Sequence, residues 1–254
     1  MILAVDAGNS NIVLGCMEGL EIRHTLRLKT DRAMSAAGYT VTLQAALAQA
    51  GFSVAGFEGG ILSSVVAAVT EPLRQALSAL LSGPVLVVGK TVKTTIPLCI
   101  DQPETIGADL IAAAEGALAK YKPPLVLIDM GTATTFLVLD KSGTFLGGAI
   151  APGVQLGAEA LTQRTGLPMA ELSAPQSPLS HSTTDCLRSG VIYGAAAMVD
   201  GMLERLDTAL GMPVTAIATG GLAHCVIPHC RRPVTLDDGL LLRGLAVMYR
   251  REMT

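Results

Sequence analysis

Two short stretches of the sequence combine an aspartate, a glycine and small polar residues in the same order. In the first, Asp6 and Gly8 precede residues 9–11, Asn-Ser-Asn; in the second, Asp129 and Gly131 precede a threonine-rich stretch. Small residues let backbone N–H groups approach phosphate oxygens, and a carboxylate can hold a cation. A single Asp-x-Gly turn is an ordinary turn that usually binds nothing. The pair, however, predicts a site for phosphate chemistry.

Each Asp-x-Gly stretch lies between two apolar runs, an arrangement that predicts strand, tight turn and strand. The runs read ILAVDAGNSNIVLGCMEG and LVLIDMGTATTFLVLDKSG, and their offset is close to half of the 254-residue chain. Two similar lobes are the simplest explanation. The Lys-Tyr-Lys-Pro-Pro stretch at residues 120–124 interrupts helix, so we place the boundary there, giving lobes of residues 1–119 and 120–254. A cleft between the lobes would face both turns and hold a nucleotide.

The elements that would position these turns are also indicated by the sequence. Continuous Val, Ile and Leu runs are typical of strands buried on both faces. Alanine-rich segments at residues 39–50, 71–81 and 108–119 predict helices that could cover them. The sequence therefore predicts an α/β fold with one mixed sheet per lobe, flanked by helices.

Composition and charge exclude several classes of partner. Half of the residues are hydrophobic and 15% are charged, which predicts a substantial core. The net charge of −3 provides no basic field for nucleic acid or anionic lipid. No apolar run approaches the roughly 18 residues of a membrane span, and the first run meets Asp6 too soon for a signal-peptide core. Five scattered cysteines fit reduced thiols. We expect a soluble, cytoplasmic protein.

One short segment contains four possible zinc ligands, His224, Cys225, His229 and Cys230. Structural zinc sites usually bring paired ligands from separate segments, whereas adjacent His and Cys side chains tend to point in different directions. The spacing favours a turn at Pro228 with incidental soft side chains over a metal site.

The order of motifs along the chain resembles that of the type III pantothenate kinases, which are related to the Bvg accessory factor. The matching stretches are DAGNSN at residues 6–11, IGAD at 106–109, DMGTATT at 129–135, GGAIAPG at 147–153, residues 161–168, TDCLRSG at 184–190, ATGG at 218–221 and LLLRGL at 240–245. This resemblance implies two ribonuclease H-like lobes of the actin and sugar-kinase type. It also implies ATP-dependent phosphorylation of pantothenate to 4'-phosphopantothenate, the first step of coenzyme A biosynthesis.

The resemblance further implies roles for individual residues. The residues expected to hold the ATP phosphates are Asp6, Ala7, Gly8, Asn9, Ser10, Asn11, Ile12 and Val13, and Thr132 would add a nucleotide contact. Asp6 would lie near a magnesium ion, and Asp129 would bind a monovalent cation, potassium or ammonium. The residues expected to line the pantothenate pocket are Gly107, Ala108, Asp109, Leu110 and Thr184. A homodimer is also implied.

Asp109 is the residue expected to act as catalytic base. Phosphoryl transfer needs the acceptor hydroxyl held in line and its proton accepted, and a carboxylate within hydrogen-bond reach does both. Its position after Gly107 and before an alanine-rich helix predicts a place near a helix N-terminus, where negative charge is favoured. The alternative is that Asp109 only caps this helix. The family resemblance favours the base.

Three apolar residues stand where the family has polar ones. Leu110 occupies the position of an Arg directly after the catalytic Asp, Ile100 lies near that of a Tyr, and Leu137 stands where an Asp commonly follows the threonines. If the Arg contacts the acceptor, its loss would cost roughly 1.5–3 kcal/mol, or about ten- to 150-fold. The alternatives to an ordinary pantothenate kinase are a slow kinase, a kinase for a more apolar acceptor, and an ATP-binding regulatory protein. The presence of all three site aspartates favours a kinase.

Overall fold

The computed structural model describes residues 1–168 and 171–254, which divide into two compact units. The first unit contains Met1–Pro97, Asp101–Lys120 and Gly239–Thr254, and the second contains Leu98–Ile100 and Tyr121–Asp238. The chain therefore passes from one unit to the other more than once, and its last segment belongs to the first unit.

Each unit is built on a five-stranded mixed sheet with the same strand arrangement. The strands of the first unit are β1 (Ile2–Ala7), β2 (Asn11–Glu18), β3 (Glu21–Lys29), β4 (Gly59–Ser64) and β5 (Val85–Val87). Those of the second are β6 (Leu125–Met130), β7 (Ala133–Leu139), β8 (Phe145–Pro152), β9 (Thr215–Thr219) and β10 (Thr235–Leu236). The orders are β3-β2-β1-β4-β5 and β8-β7-β6-β9-β10. In each sheet the first three strands are antiparallel neighbours, and the last two continue the sheet in parallel.

The two candidate aspartates occupy the same place in their sheets. Asp6 is the fifth residue of β1 and Asp129 the fifth residue of β6, and burial follows the same pattern along both strands. The prediction of strand, turn and strand at each Asp-x-Gly stretch is confirmed. The predicted α/β fold with two similar mixed sheets is confirmed as well.

The helices are α1 (Ala36–Gln49), α2 (Ala67–Leu80), α3 (Ala108–Leu118), α4 (Val154–Thr165), α5 (Thr183–Leu210), α6 (Ala223–Val226) and α7 (Leu240–Met253). Short 3-10 turns span Val54–Gly56, Pro103–Thr105 and Ile227–His229. The three predicted alanine-rich helices correspond to α1, α2 and α3, although α2 begins before residue 71 and includes Pro72. Among the described residues, no helix is long and apolar enough to cross a membrane.

Helices cover both faces of the first sheet. On one face, α1 and α2 pack over Leu3 and Val5 of β1; on the other, α3 and α7 pack over Ile2 and Ala4. In the second unit, α5 and α6 pack over alternate residues of β6 and β7. Strands β1 and β6 are thus buried on both faces along most of their length, as their apolar runs predicted.

The C-terminal helix α7 belongs to the first unit because its backbone meets that of α3. A Cβ atom added at Gly116 would overlap the Leu240 carbonyl oxygen, and one added at Gly244 would overlap that of Ala112. The two glycines therefore allow direct backbone contact between the helices. The division at residues 119 and 120 grouped α7 with the second half of the chain, whereas its packing places it with the first.

We expect Gly244→Ala to destabilise the protein by about 1–3 kcal/mol, because the added methyl group must push the two helices apart. The matched control is Gly194→Ala in α5, where an added Cβ meets nothing within 4 Å. That change should be neutral or stabilise by up to about 1 kcal/mol, since alanine is the better helix former. Urea unfolding of both variants checks the prediction, and equal effects would contradict the close contact.

Candidate active site

The turn after β1 is held in place by the residue that follows β3. The Gly8 backbone N–H donates to the Asn11 carbonyl (3.0 Å) and closes the turn. Thr30 donates to it twice, from its backbone N–H to the Ser10 carbonyl (3.1 Å) and from its hydroxyl to the Gly8 carbonyl (2.7 Å). Asn9 and Ser10 are left exposed at the tip. The predicted phosphate turn is thus a fixed structure with accessible polar groups.

Arg32 brings a positive charge to this turn. Its Nη2 donates to the Asn9 side-chain oxygen (2.9 Å), and the arginine is exposed. A guanidinium at the turn suits an anionic ligand, because charge-assisted hydrogen bonds to phosphate are strong. Arg32 was missed in the sequence because it lies beyond β3. The signal that could have found it is the β2–β3 pairing, which places the end of β3 opposite the start of β2.

Asp6 is oriented by the strand beside it. Ser63 lies opposite Asp6 in the parallel register of β1 and β4, and its hydroxyl donates to Asp6 Oδ1 (2.9 Å). Ser63 is fully buried and Asp6 half-buried, so this hydrogen bond is partly shielded from water. The two residues are 57 apart in the chain. Only the strand pairing reveals Ser63 as part of the site.

The predicted ATP-binding residues of the strands point into the protein. Ala7 and Ile12 are fully buried in the cluster beneath α1 and α2, and Val13 packs on the opposite face of the sheet. Their side chains support the sheet. Any phosphate contact from these three residues would therefore come from backbone groups, and side-chain contacts would come from the tip of the turn.

The turn after β6 has the same form in the second unit. The Gly131 N–H donates to the Ala133 carbonyl (3.0 Å), and Thr132 is exposed at the tip. Gly220, directly after β9, has a φ of 98°, and a Cβ added there would lie 2.7 Å from Asp129 Oδ1. Glycine is therefore required for the ATGG stretch to pack against this carboxylate.

Asp109 lies in the first turn of α3, after the N-cap residue Gly107. Its Oδ1 accepts from the Leu110 backbone N–H (2.8 Å), so it supports the start of the helix from within the first turn, whereas the N-cap residue is Gly107. A Cβ added at Gly107 would overlap this oxygen. Burial raises the pKa of Asp109 above its ordinary value, because desolvation outweighs the backbone hydrogen bonds that lower it. A raised pKa makes the carboxylate a stronger base.

Asp109 and the first turn lie at the same edge of the first sheet. Strands β1 and β4 are parallel, so their carboxyl ends coincide. Val65, directly after β4, donates its N–H to the Ala7 carbonyl (3.2 Å). A Cβ added at Gly107 would lie 3.6 Å from Val65 Cγ1. The fold of the first unit therefore brings Asp6 and Asp109, far apart in the chain, to one edge.

Comparison with known proteins identifies the family. Residues 2–205 match the family model described as type III pantothenate kinase. A type III pantothenate kinase of Exiguobacterium sp. is 38% identical over 252 residues, covering 99% of both chains, and one of Pelobacter propionicus is 36% identical over the same lengths. The chain belongs to the type III pantothenate kinase family.

Solved structures with this fold include a dehydratase component and a hexokinase. Component A of (R)-2-hydroxyglutaryl-CoA dehydratase from Acidaminococcus fermentans matches with a TM-score of 0.58 at 13% identity, covering 100% of this chain and 99% of that one. The ROK hexokinase of Thermus thermophilus matches with a TM-score of 0.52 at 13% identity, covering 99% of each. At such identities the likeness concerns the fold alone. It confirms the predicted actin and sugar-kinase type.

The residues that the family resemblance assigns to pantothenate belong to both units. Gly107, Ala108 and Leu110 surround Asp109 at the start of α3, where Leu110 is half-buried. Thr184 lies in the exposed first turn of α5 in the second unit. Ser182 caps that helix by accepting from a backbone N–H in the same turn. The role of each of these residues in binding stays a prediction.

Two of the departures from the family pattern suit apolar surroundings. Leu137 is 1% exposed in β7, where the register places it between Leu127 and Gly148. An ionised aspartate at this position would be a buried charge, which is costly unless it is paired. Ile100 packs close to β8, with its Cγ2 3.6 Å from a Cβ added at Gly147. Both residues therefore contribute to packing.

The His and Cys segment forms α6 and the 3-10 turn after it. His224 Nε2 lies 2.7 Å from Asp238 Oδ2, and the His229 ring packs edge-on against Tyr193. Burial raises the pKa of the Cys230 thiol to about 12, which disfavours the thiolate that binds zinc. Within residues 1–168 and 171–254, no three His, Cys, Asp or Glu side chains are grouped as metal ligands.

Asp109→Asn is expected to raise the melting temperature at neutral pH, because it removes a carboxylate whose ionisation is disfavoured by burial. With the folded-state pKa raised, the protonated form stabilises the folded protein below the ordinary pKa. That contribution is lost as the pH rises through the raised value. The gain in melting temperature over the native chain should therefore grow from about pH 4 to pH 7.

Asp140→Asn is a control for which the opposite change in melting temperature is expected. The Ser142 hydroxyl and the Thr144 N–H donate to this carboxylate and lower its pKa. Its contribution is present above the ordinary pKa and is lost as the pH falls, so the variant should melt lower at neutral pH and approach the native chain in acid. The same trend in both variants would contradict the environment assigned to Asp109.

Proposed function

We propose that the protein transfers the γ-phosphoryl group of ATP to the hydroxyl of pantothenate and forms 4'-phosphopantothenate, in the first step of coenzyme A biosynthesis. The observation that carries the proposal is the half-buried carboxylate of Asp109, whose pKa is raised by desolvation, at the same sheet edge as the Asp6 turn. Full-length similarity to proteins named type III pantothenate kinase supports pantothenate as the acceptor.

In this proposal Asp109 holds the acceptor hydroxyl and takes its proton as the new bond to phosphorus forms. Positioning and charge stabilisation provide most of the catalysis of phosphoryl transfer, so the direction in which the carboxylate points matters most. The Leu110 N–H and the space beside Gly107 fix that direction. Gly107, Ala108, Leu110 and Thr184 would line the acceptor pocket.

The two turns suit phosphate groups, each by its own structure. In the first, the backbone of residues 8–11 is accessible at the tip, and Arg32 adds a cation. In the second, Thr132 is exposed beside the packed Gly131 and Gly220 backbones. We assign residues 6–13 and Thr132 to ATP on this basis.

The carboxylates of the turns suit cations that prefer oxygen ligands. Asp6, held by Ser63, would bind magnesium together with phosphate oxygens, and Asp129 would bind potassium or ammonium. Such cations neutralise charge that develops on the phosphates during transfer.

The proposal includes a homodimer that acts in the cytoplasm. An apolar surface on the edge strand β8 supports the dimer, because Leu146 is 38% exposed and Ile150 78% exposed. Leu156 and Leu161 of α4 are exposed as well.

A second candidate reaction uses a more apolar acceptor. Leu110 at the start of α3 and Ile100 beside β8 are apolar at positions where the family has Arg and Tyr. These side chains favour an acceptor in which the pantothenate carboxylate is replaced by a neutral group. The phosphorylated hydroxyl and the role of Asp109 would be the same.

The first test is ADP release with ATP, magnesium and potassium, with and without pantothenate. We expect pantothenate-dependent turnover, and Asp109→Ala should lower kcat by about 10²–10⁴-fold because it removes the base. Asp140→Asn, on the β7–β8 turn, should keep native turnover. ATP binding without pantothenate-dependent turnover would contradict the proposal and favour another acceptor or a regulatory role.

Leu110→Arg tests which acceptor the site prefers. If the native chain uses pantothenate, the added guanidinium should lower its KM for pantothenate about tenfold or more through a charge-assisted bond, with the KM for ATP unchanged. The KM for pantothenyl alcohol, which lacks the carboxylate, should not fall in this variant. Leu110→Met is the volume-conserving control. A native chain that prefers the alcohol would support the second candidate, and equal effects on both acceptors would contradict a contact with the carboxylate.

A further inference from the structure

A buried carboxylate in the middle of α3 binds the chain that precedes the acceptor residues. Glu115 is 7% exposed. Its Oε1 accepts from the Thr94 hydroxyl (2.9 Å), the Thr95 backbone N–H (3.3 Å) and Arg251 Nη1 (3.0 Å). One oxygen therefore joins three segments of the first unit: helix α3, residues 94–95 and helix α7.

Arg251 completes the attachment from α7. Its Nη1 also donates to the Thr95 hydroxyl (2.9 Å), and its Nη2 donates to the Lys93 carbonyl (2.7 Å). The guanidinium thus contacts both the carboxylate and the backbone of the same short segment. Because the group is planar and rigid, these bonds fix the orientation as well as the distance of the segment.

The residues of this cluster lie before and after the acceptor segment in the chain. Residues 96–107 connect Thr95 to the start of α3, and Glu115 lies on α3 itself. The carboxylate therefore fixes the two ends of this connection relative to each other. Ile100, the 3-10 turn Pro103–Thr105 and Gly107 all lie on it, and Asp109 follows directly. A connection with fixed ends samples fewer conformations than one with a free end.

Stability alone does not account for this largely buried ion pair. Apolar residues of similar volume often stabilise a protein equally well. Helices α3 and α7 are already joined through Gly116 and Gly244. The benefit that the pair adds is geometric, since it specifies where residues 93–95 lie along α3.

We propose that Glu115 and Arg251 are positioning residues of the phosphoryl transfer, which hold residues 101–110 of the first unit so that acceptor and Asp109 meet in the reactive geometry. This inference rests on the proposed function. Neither side chain contacts the reacting atoms. Both act through the backbone of the acceptor segment, and their effect should therefore fall on the acceptor rather than on ATP.

The test compares three changes with a matched control. Glu115→Gln keeps a hydrogen-bonding oxygen and removes the charge, and Arg251→Lys keeps the charge and removes the planar group. The double variant Glu115→Leu, Arg251→Met replaces the pair by apolar residues and should fold but melt at a lower temperature than the native chain, because Thr94 and Thr95 lose their acceptor. The control is Glu71→Gln, which breaks the exposed Arg74–Glu71 pair on α2 in the same unit.

Steady-state kinetics provide the first measurement. We expect the double variant to raise the KM for pantothenate about tenfold and to lower kcat, with the KM for ATP unchanged. The KM for pantothenate and the kcat of Arg251→Lys should lie between those of the native chain and of the double variant. Glu71→Gln should keep the native values of both. Native values for the folded double variant, or an equal rise in both KM values, would overturn the inference.

Hydrogen exchange provides a second measurement that does not depend on turnover. Backbone amides of residues 101–110 should exchange faster in the double variant, whereas those of α1 and α2 should keep native rates. Faster exchange throughout the chain, or no change in residues 101–110, would overturn the inference. If the native chain shows no turnover with pantothenate, the proposed function fails, and exchange still decides whether the pair holds the segment.

Discussion

The direct contact between the backbones of α3 and α7 is the constraint on which the first unit depends. With glycine at 116 and 244, no side chain separates the helices, so neither can shift without opening a gap or an overlap. Helix α7 also covers Ile2 and Ala4 of β1. One helix therefore fixes both the strand that carries Asp6 and the helix that carries Asp109, and the last residues of the chain determine a site formed by its first half.

Helix α3 carries two carboxylates that lie in different environments. Glu115 is deep in the unit, where Arg251 and two residues of the preceding segment satisfy it. Asp109 lies in the first turn, where the helix dipole favours negative charge but burial still raises its pKa. The Glu115 carboxylate, whose charge is balanced by its donors, holds the segments around it in place. The Asp109 carboxylate is less fully balanced and takes up a proton more readily than an ordinary aspartate. The first turn and the middle of one helix thus place two carboxylates in different electrostatic environments.

The local features of the fold could be predicted from the sequence, and the long-range ones could not. The two Asp-x-Gly stretches gave strand, turn and strand in both units, because the apolar runs and turn residues are contiguous. Ser63, Arg32 and Arg251 were missed, because each reaches its partner through strand pairing or helix packing across many residues. The return of α7 was missed for the same reason. The two glycines that allow this contact, one in each helix, can be recognised only once the helices are known to cross.

The three departures from the family pattern are of two kinds: one residue lies in the interior of a sheet, and two lie near positions assigned to the acceptor. Leu137 fills an interior position in β7, where an unpaired charge would be costly. Leu110 follows Asp109 directly and Ile100 lies beside β8, and both are compatible with the packing around them. The contacts to Asp6 from Ser63 and to Asp109 from the Leu110 N–H, and the α3–α7 crossing, do not require a polar side chain at positions 100, 110 or 137. The framework that holds these two carboxylates is therefore independent of the polarity of these three side chains.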